Sequence, residues 1–273
     1  MVIFLNVGDF VGRKSYNCDI VFVISAIVDN VAVLQGYYVR LVADSPINDL
    51  VLIEREELER FNNSDEEYKN SIIEGYKSKI SHITGKILHI DSDPNYLKRC
   101  LSLYDSLNLY AYGVTLKESD IEKNILDYIN KIRPNIVILT GHDSYNKKGL
   151  HDLNNYKTTK DYIRAVIKIR EKYSLDDICV FAGACGSNFE ALIASGANFA
   201  SSIDRNNIEA YDPAIVAVIS AITPLNQIID IKSVNNYSKI KSKSIGGIET
   251  YGKMRLLIRW LNKMSLFNII NVS

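Results

Sequence analysis

The 273-residue sequence lacks any apolar run near the ~20 residues that a membrane span needs, so no membrane partner is expected. It also lacks an excess of either charge. Lys and Arg number 32 against 32 Asp and Glu, which removes the electrostatic reason to expect a nucleic acid or an anionic surface as partner. The four cysteines, Cys18, Cys100, Cys179 and Cys185, include no C-x-x-C pair, so a reducing, cytoplasmic setting is expected and neither structural zinc nor any other metal or cofactor is. Met1-Val2-Ile3-Phe4-Leu5-Asn6 has no basic stretch and too short an apolar core for an export signal. Internal repeats and low-complexity linkers are missing as well.

What is present is a large core. A hydrophobic fraction of 47% suffices for a main domain with a smaller one beside it. The chain is organised around residues 135–202. There Ile136-Val137-Ile138-Leu139 breaks into Thr140-Gly141-His142-Asp143-Ser144, and Ile178-Cys179-Val180-Phe181-Ala182 breaks into Gly183-Ala184-Cys185-Gly186-Ser187. Such β-branched runs bounded by glycine read as buried parallel strands. Between them, Tyr162, Ile163, Val166, Ile167 and Ile169 recur at helical spacing. A right-handed strand-helix-strand crossover puts the carboxyl ends of both strands, and hence His142 and Cys185, on the rim where open α/β sheets hold their ligands.

Three segments are expected. Residues 1–53 read as short strands with a hairpin tip at Asp29-Asn30, resembling a small SH3-like β-barrel of the Tudor or KOW kind, a docking module more often than a catalyst. Residues 54–84 carry a dense acidic then basic run and read as a solvated helical linker. Residues 85–273 read as an α/β domain, a mostly parallel sheet with helices on both faces. Its predicted strands lie near 86–90, 109–116, 136–139, 178–182 and 197–202, and its helices near 95–104, 119–132, 158–173, 187–194 and 212–222, with Asp91, Asp93 and Pro94 opening the first helix. Residues 245–252 read as short strands and turns, and 254–267 as a basic-aromatic tail.

Cysteine attacks as a thiolate, so a catalytic cysteine needs a lowered pKa, exposure and a base within reach. Cys185 sits at a glycine-flanked strand-to-helix turn, where a helix N-terminus favours the thiolate and its amides serve an oxyanion. His142 is the candidate base. Either residue alone is more often packing or surface; the pair stands out because both fall at corresponding rims of one unit. Cys100 and Cys179 read as core, and His82, His89 and His151 lack a comparable setting, although His151 has the same rim within reach. The second oxyanion donor, besides the Cys185 amide, is expected from Asp143 or Ser144. Asp143 is also a candidate to orient His142 or to meet a basic substrate side chain.

An amidotransferase needs its histidine after the cysteine, whereas here none follows Cys185. A receiver domain needs an aspartate where this chain has Thr140. The remaining pattern, His142 followed 43 residues later by Cys185, resembles the caspase-like three-layer sandwich. More extensive similarity is carried by Arg13-Lys14-Ser15-Tyr16, Val39-Arg40-Leu41-Val42-Ala43-Asp44-Ser45-Pro46, Leu139-Thr140-Gly141-His142-Asp143, Phe181-Ala182-Gly183-Ala184-Cys185, Phe189-Glu190-Ala191-Leu192, Gly196-Ala197-Asn198-Phe199-Ala200-Ser201-Ser202 and Ile245-Gly246-Gly247-Ile248-Glu249-Thr250. Across nearly its whole length the chain resembles the YabG family of sporulation-specific peptidases. That resemblance implies a cysteine endopeptidase of the mother cell, with His142 and Cys185 catalytic and with proteins of the spore coat and cortex machinery, or the chain itself, as substrates.

Gly141, Asp143, Ser144, Ala184, Gly186, Ser201, Ser202 and Asp204 would line the oxyanion and substrate pocket. Two places depart from the family's pattern: Ser201-Ser202-Ile203-Asp204-Arg205 is less basic, and Gly186 is smaller. Caspase-like analogy suggests cleavage after basic residues. The rival reading is a non-catalytic assembly protein of the spore surface, with a receiver-like α/β domain.

Overall fold

The computed structural model describes residues 5–77, 83–232 and 244–256. The N-terminal part forms β1 (Phe10–Arg13), β2 (Phe22–Val28), β3 (Val31–Gly36), β4 (Val42–Pro46) and β5 (Leu50–Leu52). They pair antiparallel in the order β4-β3-β2-β1-β5 around Val11, Phe22, Ile24, Ala32, Leu34 and Leu50. Asp29 and Asn30 tip the β2–β3 hairpin with φ of 48° and 64°, the positive pair that a type I′ turn requires. The expected barrel does not close. β4 and β5 are the two edges, and each buries a single residue, Ser45 and Leu50, so neither offers an apolar face for closure.

Helix α1 (Arg55–Lys77) occupies the predicted linker. It is not solvated all round: Tyr68, Ile72 and Tyr76, spaced by four residues, form one stripe buried in the main core. Residues 78–82 of the predicted linker, with His82, lie outside the described residues, as does most of the basic-aromatic tail.

The main sheet contains β6 (Ile87–Asp91), β7 (Ala111–Thr115), β8 (Ile136–Thr140), β9 (Cys179–Ala182), β10 (Phe199–Ser201) and β11 (Ile245–Gly247), in the order β11-β10-β9-β8-β6-β7. The first five are parallel and β11 is antiparallel to β10. The connecting helices are α2 (Pro94–Ser106), α3 (Glu118–Ile132), α4 (Thr159–Arg170), α5 (Phe189–Ala194) and α6 (Asp212–Ile222).

Strand residues alternate between two cores, as a period of two dictates. Ile87, Ile136, Ile138, Cys179, Phe181 and Phe199 pack against α1, α2 and α6. Leu88, Ile90, Val137, Leu139, Val180, Ala182 and Ala200 pack against α3, α4 and α5. Helices therefore cover both faces of a mostly parallel sheet. Strand order reverses between β6 and β8, so the crevice at their carboxyl ends is the switch point where ligands bind in such sheets.

Candidate active site

His142 and Cys185 leave the carboxyl ends of adjacent parallel strands, β8 and β9. Their loops touch. Asp143 Oδ2 accepts from Ser187 Oγ at 2.8 Å, and a Cβ on Gly186 would lie 3.4 Å from the Tyr145 amide nitrogen. Gly183, at φ +119°, turns the chain out of β9 in a conformation that L side chains rarely adopt, and its missing Cβ would sit 2.7 Å from Ser201 Oγ. At Gly141 a Cβ would run into Ser92 Oγ.

The His142 loop is braced by side chains. Glu118 Oε1 accepts from the His142 amide at 2.9 Å and from Ser92 Oγ at 2.5 Å, while Thr158 Oγ1 donates to the His142 carbonyl at 2.5 Å. The imidazole Nε2 lies 3.1 Å from Asp93 Oδ2, and the Tyr96 ring packs against it at 6.0 Å between centroids. Nδ1 is buried without a hydrogen-bond partner. Asp93 is the N-cap expected of α2: its Oδ1 accepts from the Asn95 amide at 2.8 Å and the Tyr96 amide at 3.3 Å. Its bond to His142 spans 49 positions and was not legible in the sequence.

Asp143 does not orient His142. Its carboxylate accepts from the Ser144 amide, the Thr158 amide, Thr159 Oγ1 and Ser187 Oγ, which leaves it holding two loops together and only 7% exposed. The Ser144 amide is thereby occupied. Gly186 donates its amide to Ser202 Oγ at 2.9 Å, and Ser187 Oγ closes on the Ala184 amide at 3.0 Å. Among the described residues the amides of Cys185 and Asp143 meet no acceptor. Ser201 Oγ donates to the Ala184 carbonyl at 3.1 Å, and Ser202, at φ +110°, turns its hydroxyl between the Gly186 amide and the Asn206 carbonyl. Asp204 is exposed, as is His151.

The expected exposure and lowered pKa of Cys185 are not found. Cys185 is 2% exposed, and its Sγ accepts from the Ile208 amide at 3.3 Å. Burial pushes the thiol up to about 12; the Ile208 backbone bond and the Arg40 charge oppose the shift, and Asp212 and Asp143 add to it. The cover is a strap tied to the N-terminal sheet. Arg40 donates its amide to the Ile208 carbonyl, Ala210 donates to the Tyr38 carbonyl, and Val39 bridges Glu209. Cys100 and Cys179 are core thiols, as expected, each raised to about 11 by burial. His89 is sealed against the Tyr104 hydroxyl, and burial lowers its pKa.

Arg40 was missed as a site residue. It is fully buried, pairs with Asp91 at 2.7 Å, donates Nη2 to the Ala210 carbonyl at 3.0 Å and lies 4.7 Å over the Tyr96 ring. Burial alone would raise Asp91, but the guanidinium and His89 hold it at about 2. The available signal was a lone arginine inside the apolar run Val39-Arg40-Leu41-Val42. The described residues hold no His/Cys/Asp/Glu cluster fit for a metal, and none of their helices is long and apolar enough to cross a membrane.

Comparison with known proteins bears on what this rim does. Residues 6–259 match the family model described as YabG peptidase U57. The sporulation-specific protease YabG of Bacillus subtilis (strain 168) is 36% identical over 279 aligned positions, which cover 92% of this chain and 96% of that protein. No solved structure matches the chain. A family match over nearly the full length, together with that identity, places the chain among the peptidases: it belongs to the YabG peptidase family.

Proposed function

We propose that the chain is a cysteine endopeptidase of sporulation, with Cys185 as nucleophile and His142 as general acid and base. The observation that carries the reading is the seating of these two residues on loops that pack against each other beside the sheet's switch point. Cys185 Sγ, its proton passed to His142, attacks the scissile carbonyl carbon. The oxyanion that forms meets the amides of Cys185 and Asp143, which have no acceptor among the described residues. His142 then returns the proton to the leaving amine, and water hydrolyses the thioester.

The sulfur beneath Ile208 belongs to a closed state. Turnover requires the strap at 206–210 to lift. The α/β unit is assigned to the caspase-like group on its order of histidine loop, helix and cysteine loop. The open N-terminal sheet is assigned to an SH3-like lineage. The relative's name supports proteins of sporulation as substrates; spore coat and cortex-associated proteins in the mother cell, and cleavage after a basic residue, are the finer proposals that the family resemblance and the caspase-like analogy imply. Asp204, exposed beyond the strap, belongs to the outer part of the substrate surface.

The test compares Cys185→Ala, His142→Ala and Cys100→Ala for cleavage of a purified coat protein. Loss in the first two with the third unaffected is expected; full cleavage by Cys185→Ala removes the cysteine mechanism. The sealed thiol favours one rival, an assembly protein without catalysis. A peptidyl electrophile that labels Cys185 in the presence of substrate-derived peptide excludes that rival.

A further inference from the structure

We infer that Asp93 is the positioning residue of the His142 base, fixing which imidazole nitrogen carries the proton. The inference rests on the proposed role of His142. Asp93 is almost fully buried and accepts on both oxygens: Oδ1 takes the amides of Asn95 and Tyr96, and Oδ2 takes His142 Nε2 at 3.1 Å and Gln35 Nε2 of β3. An ionised carboxylate offers about four acceptor sites and no donor, so these four N–H groups saturate it. The nitrogen facing Oδ2 must therefore bear the hydrogen. In neutral His142 that leaves the lone pair on Nδ1, the atom with no partner, as a general base requires.

The same geometry makes Asp93→Asn a clean probe. An asparagine side chain keeps the cap only if its oxygen stays on the Asn95 and Tyr96 amides, because the reversed amide would set NH₂ against two N–H donors. Its NH₂ then faces His142 Nε2. That nitrogen has to accept, the proton moves to Nδ1, and the base is lost although α2 remains capped. Gln35 turns its amide to present oxygen. Its position on β3 means that the N-terminal sheet takes part in holding the carboxylate.

Two measurements test the inference. Nitrogen-15 NMR of the intact chain, with His142 assigned by His142→Gln, is expected to show the Nε2–H tautomer of the neutral ring and, in Asp93→Asn, the Nδ1–H tautomer. In peptide cleavage Asp93→Asn is expected to lower kcat about 100-fold or more while KM moves less than about threefold; a carboxylate-to-amide swap in the serine-protease triad costs more still. An Nδ1–H tautomer in the unaltered protein overturns the inference whatever the variants do. So does wild-type kcat in folded Asp93→Asn when His142→Ala is inactive. Full activity of His142→Ala instead sinks the proposed mechanism, while the tautomer measurement still reads the Asp93 contact.

Discussion

The two loops that carry the candidate dyad are built in opposite ways. The His142 loop is a polar lattice in which Glu118, Thr158 and Asp93 each take a backbone or ring atom, and the imidazole remains 24% exposed. The Cys185 loop is also hydrogen-bonded, but its functional atom is covered: the thiol is pushed up to about 12 by burial, and the sulfur is bonded to a strap from another part of the chain. One half is preorganised and the other is withheld. With His142 as the base proposed above, control lies in access to sulfur, because hydrogen bonds already hold the imidazole whereas burial under Ile208 disfavours the thiolate.

The strongest way to break this contrast is through Arg40, which ties the cover to the switch point. Arg40→Met removes the partner of a buried carboxylate, and Asp91 is then left uncompensated, at a cost of about 3–5 kcal/mol. Chemical denaturation measures this loss. The same variant releases the Ala210 carbonyl, so alkylation of Cys185, followed by mass spectrometry against Cys18, is expected to accelerate. Unchanged alkylation would separate the cover from the N-terminal sheet.

A slightly smaller effect is expected from pH. Asp212, beneath the strap, is raised to about 7, first by burial and then by Glu209. Below about pH 4 both folded and unfolded states hold the proton. As pH rises from there through about 7, the unfolded state releases it first, so stability falls, by up to roughly 4 kcal/mol in total. Asp212→Asn should flatten the decline in urea midpoint between pH 5 and 8; an equally steep decline would place the titrating group elsewhere.

The sequence carried the α/β half of this picture well. The runs at 136–139 and 178–182 are apolar on both faces, and glycine marks where each stops, so the strands, their shared rim and the pairing of the two strands that lead into His142 and Cys185 were all readable. The Asp29–Asn30 tip was equally plain. Other features depend on contacts between distant segments. Barrel closure failed because two edge strands lack apolar faces, which local turn signals do not report. The α1 stripe of Tyr68, Ile72 and Tyr76 was present but diluted by the charge run around it. Asp91 and Asp93 both suit the start of α2 by sequence; only Asp93 caps it, and its second oxygen meets His142 only because the fold brings β8 beside β6. Burial of Cys185 depends on the strap at 206–210, whose contact with the sulfur joins segments distant in sequence.

The contact between the two loops can be tested at Asp143. Asp143→Ala leaves two backbone amides and two hydroxyls, those of Thr159 and Ser187, without their acceptor. A loss of about 2–3 kcal/mol in unfolding free energy is expected, since each buried donor left unmatched costs on the order of 1 kcal/mol or more and the hydroxyls can turn elsewhere. Turnover should fall with it, through misplacement of both loops. Ser187→Ala removes the bond that crosses between them and also the acceptor of the Ala184 amide; that second loss is common to both backgrounds, so a double-mutant cycle with Asp143→Ala isolates the coupling. Strictly additive effects would mean that the loops are braced separately.

The smallest change probes the same junction from the other side. Gly186 has φ +74°, and a Cβ there meets the Tyr145 amide at 3.4 Å, an ordinary contact distance. Space alone therefore does not forbid Gly186→Ala; the cost comes from the left-handed backbone, about 1 kcal/mol. If the β9 loop is as rigid as its bond to Ser202 implies, thermal stability drops by that amount and cleavage persists at reduced kcat. A variant as stable as the parent would mean that the loop relaxes to another conformation, and then the Cys185 amide, one residue back, would shift with it and kcat would fall far more than stability. The ratio of the two effects thus reports whether the Cys185 loop, for all its burial, is held as firmly as the His142 loop.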